Sequence, residues 1–340
     1  MNQPILAIVV PCYNEEETLP RTIRQLHDLV VRMIREKTIC SKSKILFVDD
    51  GSTDETWTLI HKESLQNDHV RGLKLARNVG HQNALLAGLF TAKKVSDCVL
   101  SIDADLQDDI SVIPEFIQKF NEGHEIVYGV RKRRDTDTFF KRKTAETFYK
   151  MMKKMGVDLI YNHADFRLMS RRAIQELERF DEVNLFLRGI VPLIGFQSAE
   201  VYYERKKRMA GETKYPLKKM LAFAFDGISS FSVTPIRFVL LIGLVSFFVS
   251  VLFGTYFLLL KMTGHTQTGW TSLITSIWLI GGLQLIAIGL IGEYIGKIYK
   301  ETKRRPKYIV DFDPFMFHPS GKTADKEEYS LASGKLTETN

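Results

Sequence analysis

Three cysteines in 340 residues leave no room for a disulfide framework. Cys12, Cys40 and Cys98 are odd in number and follow no Cys-x-x-Cys or ligand spacing. They read as reduced structural thiols of a cytosolic compartment. The histidines, His81 and His163 among them, also lack ligand spacing and are assigned no metal. No Gly-x-Gly-x-x-Gly and no Walker sequence is present, which disfavours a Rossmann dehydrogenase or a P-loop NTPase. Internal repeats are missing too. No secretory signal is expected at the start, because Pro4–Val10 is short, lacks a basic flank and runs into Glu15–Glu17. The net charge of +7 is not accompanied by basic residues interleaved with an aromatic platform, so no nucleic-acid partner is expected. Much of the excess lies beside two apolar runs, where anionic headgroups are the natural partner.

Those runs are Ile236–Leu260, with Arg237 at its very start, and Trp270–Gly292, which has no charge at all. At about 1.5 Å per residue they reach roughly 37 and 34 Å, enough for a bilayer core of about 30 Å. The linker Lys261–Gly269 carries one Lys, whereas Arg237, Lys297, Lys300, Lys303, Arg304, Arg305 and Lys307 crowd the outer flanks. The positive-inside rule then predicts a two-span hairpin with both termini in the cytoplasm. The alternative, a buried helical hairpin in a soluble core, fits less well, since such helices are shorter and less apolar all round.

Everything before Arg237 reads as a soluble enzyme. Short apolar strands at Leu6–Val10, Ile45–Val48, Gly72–Leu75, Cys98–Ile102 and Ile126–Tyr128 alternate with helical stretches near Glu16–Arg35, Asp54–Leu65, Gln82–Ala92 and Ile113–Phe120. That alternation predicts an α/β fold, a mostly parallel sheet with helices on both faces. A helix over Thr138–Lys154, a loop and a helix over Arg171–Glu178 follow. From Tyr215 to Phe231, Leu217, Met220, Leu221, Ala224, Ile228 and Phe231 recur at helical spacing. This predicts an amphipathic helix in the headgroup layer, or one packed on the catalytic domain. The expected units are a catalytic domain over 1–214, the interfacial helix over 215–234, spans over 236–260 and 270–292, and a basic, flexible segment over 293–340.

The polar motifs fall at strand ends, where such sheets bind ligands. The fourth strand runs into Ser-Ile-Asp-Ala-Asp-Leu-Gln, placing Asp103 and Asp105 two positions apart with Gln107 after them. Two carboxylates and an amide oxygen suit a hard divalent cation that keeps waters and bridges phosphates. The first strand ends in Val-Pro-Cys-Tyr-Asn-Glu-Glu and the second in Val-Asp-Asp-Gly-Ser-Thr-Asp. Asp49 and Asp50 sit where a base or ribose edge could be read, and Tyr13 where a base could stack. Ser52 and Glu55 fit a capping box, and Gly51 permits a tight turn.

Val10–Glu15, Val48–Asp54, Arg77-Asn78-Val79-Gly80 and Asp103–Gln107, in that order, resemble the motifs of family 2 glycosyltransferases with the A-type, Rossmann-like nucleotide-sugar fold. With the two spans, the chain through about residue 308 is similar to the polyprenyl-phosphate glycosyltransferases, in particular the bacterial two-span bactoprenol type. The resemblance implies that Pro11, Tyr13, Glu15 and Asp50 line the base and ribose. It implies that Asp103 and Ala104 contact the nucleotide, and that Asp105 and Gln107 hold Mg2+ or Mn2+ against the diphosphate. Asp108-Asp109 stands where the family often has His-Pro or Asp-Pro. Arg208–Tyr215 matches the family's Arg-x-x-Gly-x-Ser/Thr-Lys element, so Arg208 and Lys214, with Arg131 and Arg142, are expected on the acceptor phosphate. Asp165, in Ala-Asp-Phe-Arg, corresponds to an acidic acceptor-side position grouped with Asp103 and Asp105 as catalytic; a salt bridge to Arg167 or Arg171 is its other reading.

The implied reaction is inverting transfer of a sugar from a nucleotide sugar to polyprenyl phosphate at the cell membrane. UDP-glucose or UDP-N-acetylglucosamine is the preferred donor, with GDP-mannose and an aminoarabinose donor as alternatives. A flippase and a downstream glycosyltransferase are implied as coupled partners, and a homo-oligomer is expected, with Gly281, Gly282, Gly289 and Gly292 allowing close helix contacts. The absence of any Arg-Trp pair argues against a polysaccharide acceptor, and the intact Asp103, Asp105 and Gln107 argue against a non-catalytic adaptor.

Overall fold

The computed structural model describes residues 3–132, 163–182, 187–204, 234–262, 269–313 and 315. The amphipathic helix expected over 215–234 and the helix expected over Thr138–Lys154 lie essentially outside these residues. So do Arg142, Arg208 and Lys214.

The five expected strands form, four of them longer than their apolar runs and β4 one residue shorter: β1 (Leu6–Cys12), β2 (Lys44–Asp49), β3 (Val70–Leu75), β4 (Cys98–Ser101) and β5 (Ile126–Arg131). Between them run α1 (Leu19–Arg35), α2 (Thr56–Gln66), α3 (His81–Ala92) and α4 (Ile113–Asn121). All seven residues of β1 are buried, as expected of a parallel strand covered on both faces. One core layer packs α1 and α4 against Leu6, Ile8, Phe47 and Leu100, and the other packs α3 against Ala7, Val9, Leu46 and Val99. Gly88 of α3 lies so close to Val9 and Val48 that a Cβ there would overlap both side chains.

The sheet departs from expectation on both sides. The segment read as a loop before Arg171 contains β6 (His163–Ser170), which inserts between β4 and β5 and runs antiparallel to both. It is followed by α5 (Arg171–Leu177), α6 (Leu187–Leu193) and β7 (Ser198–Tyr203). The described strands order as β7-β5-β6-β4-β1-β2-β3-β8. The reason is visible in β6, where Phe166, Leu168 and Met169 are buried but the buried Arg167 interrupts the apolar pattern.

Two long helices follow, α7 (Thr234–Met262) and α8 (Trp270–Thr302). Among the described residues, one stretch is long and apolar enough to cross a membrane, Leu279–Thr302, and none of it is buried inside the protein. It starts later than the expected Trp270 and reaches beyond the expected end at Gly292, where Glu293, Lys297, Lys300 and Glu301 alternate with apolar residues.

The expected flexible tail begins with structure instead. β8 (Val310–Phe312) pairs antiparallel with the end of β3, and Ala76 N–H donates to Ile309 O across 3.0 Å. Lys74–Asp311 at 3.2 Å and Lys94–Asp313 at 3.7 Å flank this pairing, and Phe312 meets the Trp57 ring edge-on at 5.8 Å. An apolar ring among acidic residues is too short a signal for periodicity to register.

Candidate active site

The loops after β1 and β2 clasp each other. Asn14, in the left-handed region at φ 53°, donates its N–H to Ser52 Oγ (3.1 Å), and its Oδ1 accepts the N–H of Thr53 (2.9 Å). Glu15 N–H donates to Thr56 Oγ1 at 2.9 Å, and Glu55 N–H to a Glu16 carboxylate oxygen at 3.0 Å. The capping box expected of Ser52 and Glu55 is therefore not formed. Both residues are taken up by the neighbouring loop, and Asp54 Oδ1 accepts from Thr56 N–H (3.0 Å) at the start of α2. Pro11 is buried in β1, the Glu15 carboxylate accepts from Thr18 Oγ1 (2.7 Å), and the Tyr13 ring is nearly half exposed at 46%.

Asp49 and Asp50 are both buried. Asp49 Oδ1 accepts the Ser52 N–H at 3.3 Å, while its Oδ2 is buried without a partner among the described residues. Burial pushes its carboxyl up. Asp50 receives Val79 N–H at 2.8 Å and Gly80 N–H at 3.0 Å, one on each oxygen, so it holds the turn that opens α3. Burial raises its carboxyl too, against the pull of those two N–H groups. Gly51, at φ +66°, passes so close to the backbone of Arg77 and Asn78 that a Cβ would come within 2.5 Å of it.

Past β4 the chain turns through Asp103–Gln107. Ala104 is buried and its carbonyl accepts from Thr22 Oγ1 at 2.7 Å. Leu106 has φ 45°, a left-handed conformation uncommon for leucine. Gln107 Nε2 donates to Asp105 Oδ2 at 2.7 Å, so carboxylate and amide stand side by side. No group of three His, Cys, Asp or Glu able to hold a metal occurs among the described residues. The pair Asp105–Gln107 nonetheless fits a hard cation whose remaining ligands are phosphate oxygens and waters, since both supply oxygen donors on one turn.

Because β6 runs antiparallel, its first residues lie beside the carboxyl end of β4, with Arg167 opposite Ser101. This brings Asp165 to Asp103. His81, the first residue of α3, stands between them, its Nε2 3.5 Å from Asp103 Oδ1 and 4.0 Å from Asp165 Oδ2. Asp165 is gripped by Arg167 Nη2 at 2.6 Å on one oxygen and Arg188 Nη2 at 3.2 Å on the other. Its partners are thus Arg167 and Arg188; Arg171 pairs with Asp97 at 3.3 Å. Burial alone would raise the Asp165 carboxyl, but Arg188, Arg167 and His81 together hold it well below the usual range. Asp103 keeps part of its carboxylate open to solvent yet is surrounded mostly by protein. That loss of solvent pushes it up to about 6, with His81 opposing and Asp165, Asp108 and Asp105 adding to the rise.

Arg131 leaves the end of β5 and donates from Nε to Tyr203 Oη (3.2 Å) and from Nη2 to Asp108 Oδ1 (3.1 Å). Tyr203 Oη donates to the same carboxylate oxygen at 2.6 Å. His81, Asp108, Arg188 and Tyr203 were not among the residues singled out from sequence for the site. His81 follows directly on Arg77–Gly80 after a strand, a position that could have marked it, whereas Arg188 and Tyr203 belong to elements with no motif.

The cysteines stand apart from this chemistry. None is paired, and burial pushes the thiols of Cys12 and Cys98 up, away from reactivity.

The described residues thus form an α/β sheet covered on both faces, with carboxylates gathered at its strand ends. Residues 7–178 match the family described as glycosyl transferase family 2, so the chain belongs to that family. It is 65% identical over 92% of its length, and 93% of the relative's, to the "Uncharacterized glycosyltransferase YkoT" of Bacillus subtilis (strain 168). It is 41% identical to the "Bactoprenol glucosyl transferase" of Shigella phage SfV, over 90% of this chain and 97% of that one. Among solved structures, the mannosyltransferase PcManGT from Pyrobaculum calidifontis, in complex with GDP-Man and Mn2+, is 12% identical with a TM-score of 0.45, covering 90% of this chain and 89% of that one.

Proposed function

We propose that this protein transfers a sugar from a nucleotide sugar to the phosphate of a polyprenyl phosphate, forming a lipid-linked monosaccharide. The observation that carries the reading is the 41% identity, across nine-tenths of the chain, to a bactoprenol glucosyl transferase. Supporting it, Asp103, Asp105, Gln107 and Asp165 converge at neighbouring strand ends.

In this reading Tyr13 stacks on the base, and Pro11, Glu15 and Asp50 shape its pocket. Asp50 does so through the backbone it holds. Asp103 and Ala104 face the nucleotide. Asp105 and Gln107 would hold Mg2+ or Mn2+, which when bound neutralises the departing diphosphate. The acceptor needs no general base, because a phosphate monoester with a second pKa near 6 is largely dianionic at neutral pH. The protein's work is then to hold two anionic substrates in line, so that attack on the anomeric carbon inverts its configuration. Arg131, Arg142, Arg208 and Lys214 supply charge for the lipid phosphate. Asp165, fixed by two arginines, orients the sugar or the acceptor.

The site is proposed to work at the cytoplasmic face of the cell membrane, with two spans and both termini on that side. The strap supports this topology: β8 follows α8 and pairs with β3, so the chain returns to the catalytic domain after the helices. UDP-glucose or UDP-N-acetylglucosamine is the preferred donor. A flippase and a second transferase would act on the product, and the chain would assemble as a homo-oligomer.

The test uses purified full-length protein in detergent with undecaprenyl phosphate, Mn2+ or Mg2+, and one labelled donor at a time. Label is expected in the organic phase with one donor and not with Asp105→Ala. Nucleotide binding without lipid product for any of UDP-glucose, UDP-N-acetylglucosamine, GDP-mannose or an aminoarabinose donor would refute the lipid acceptor.

A further inference from the structure

We propose that Asp108 is a positioning residue that ties the cation-holding turn to the acceptor-side arginine. The inference deepens the proposed function and rests on its assignment of Asp105 and Gln107 to the cation and Arg131 to the acceptor phosphate.

Asp108 is one residue past Gln107, and its carboxylate is almost fully enclosed, 2% exposed. One oxygen accepts from two donors carried by different strands, Arg131 Nη2 at 3.1 Å from β5 and Tyr203 Oη at 2.6 Å from β7. Arg131 closes the triangle by donating from Nε to Tyr203 Oη at 3.2 Å. Three chain segments are joined through one carboxylate on the catalytic edge of the sheet.

A buried ion pair is a poor device for stability alone, because apolar side chains of similar volume do as well or better. Its value is geometric: a guanidinium is planar, and two of its five N–H groups committed to fixed partners set the direction of the rest. The turn needs such a hold from outside, since Leu106 occupies the left-handed region. Residues that orient metal ligands without touching the metal commonly govern its affinity. Asp108 does this for one substrate site while aiming the cation that serves the other.

The coupling is tested in full-length protein in detergent. Mn2+ affinity is read by electron paramagnetic resonance in the presence of UDP and, separately, GDP, and steady-state kinetics give the KM for undecaprenyl phosphate. Asp108→Asn keeps the shape but removes the charge. It is expected to weaken Mn2+ binding and raise the lipid KM together, each by about tenfold. A change in only one of the two quantities, or in neither, would overturn the coupling. Should Asp108→Asn fail to fold, Tyr203→Phe removes a single O–H donor and is expected to shift both quantities in the same directions by a smaller factor; no shift in either overturns the proposal. Asp105→Ala is the separate control. Wild-type Mn2+ affinity in that variant would refute the cation site itself, and the inference with it, whatever Asp108→Asn does.

Discussion

Arg167 donates from Nη2 to Asp165 Oδ1 across 2.6 Å, and this guanidinium is 1% exposed in the middle of a central strand. A buried arginine is tolerated there because Asp165 lies two residues away on the same face, with Arg188 completing the cluster at 3.2 Å. Arg167 Nε remains without a partner among the described residues, so the cluster depends heavily on that one carboxylate.

Asp165→Asn is therefore expected to destabilise the catalytic domain by about 3 kcal/mol, by leaving Arg167 buried and uncompensated. The sign of its pH dependence follows from the depressed carboxyl. Asp165 contributes fully above its unfolded value of about 4, and the contribution is lost as the pH falls toward the lower folded value. Urea melts should show the variant weaker than wild type at pH 7, with the gap closing only in strong acid.

Asp50 separates a structural duty from a binding one. Both of its oxygens are taken by Val79 and Gly80 N–H groups. Asp50→Ala leaves two N–H groups without their acceptor and should cost about 1–3 kcal/mol. Under the proposed reading the nucleotide pocket is shaped through that turn, so nucleotide affinity should fall with it. Calorimetric titration with UDP and GDP, alongside a thermal melt, checks the pair. Full affinity in a destabilised protein would remove Asp50 from the pocket.

The strap after α8 predicts a contribution from beyond the catalytic core. Phe312 packs against Trp57 and His61, with ring centres at 5.8 and 6.3 Å. Phe312→Ala should lower stability by about 1–3 kcal/mol through lost apolar area and ring contacts. The check is a melt followed by tryptophan fluorescence, in which Trp57 should report a more solvated environment.

The proposed membrane insertion of Leu279–Thr302 makes its own prediction. Ile286, 65% exposed in this stretch, is expected to face lipid or a partner helix. Ile286→Arg, at the midpoint of α8, should oppose insertion by about 3 kcal/mol. Alkaline extraction of membranes should leave the wild-type chain in the pellet and release a larger fraction of the variant.

Where apolar runs were uninterrupted, the sequence was a sufficient guide. β1 to β4 formed within two residues of the runs that announced them, β5 ran three residues further, and α3 and α4 fell within one. The strand-end motifs also lie at strand ends. β6 was hidden because Arg167 and Asp165 make a strand look like a polar loop, and their mutual neutralisation appears only in three dimensions. β8 was hidden because three residues pairing with a distant edge leave no periodicity. The capping box failed for a related reason: Ser52 and Glu55 suit a local cap, but the loop after β1 offers them better-placed partners. Asp165 meets His81, and Tyr203 meets Asp108, through topology, with β6 folded between β4 and β5 and β7 beside β5.

The central claim is that the lipid phosphate oxygen is the nucleophile, and 31P nuclear magnetic resonance of the reaction tests it most directly. With undecaprenyl phosphate, divalent cation and the competent nucleotide sugar, the lipid monoester resonance should convert to a phosphodiester as nucleoside diphosphate appears in equal amount. An unchanged monoester, or a lipid diphosphate formed with release of nucleoside monophosphate, would contradict the account.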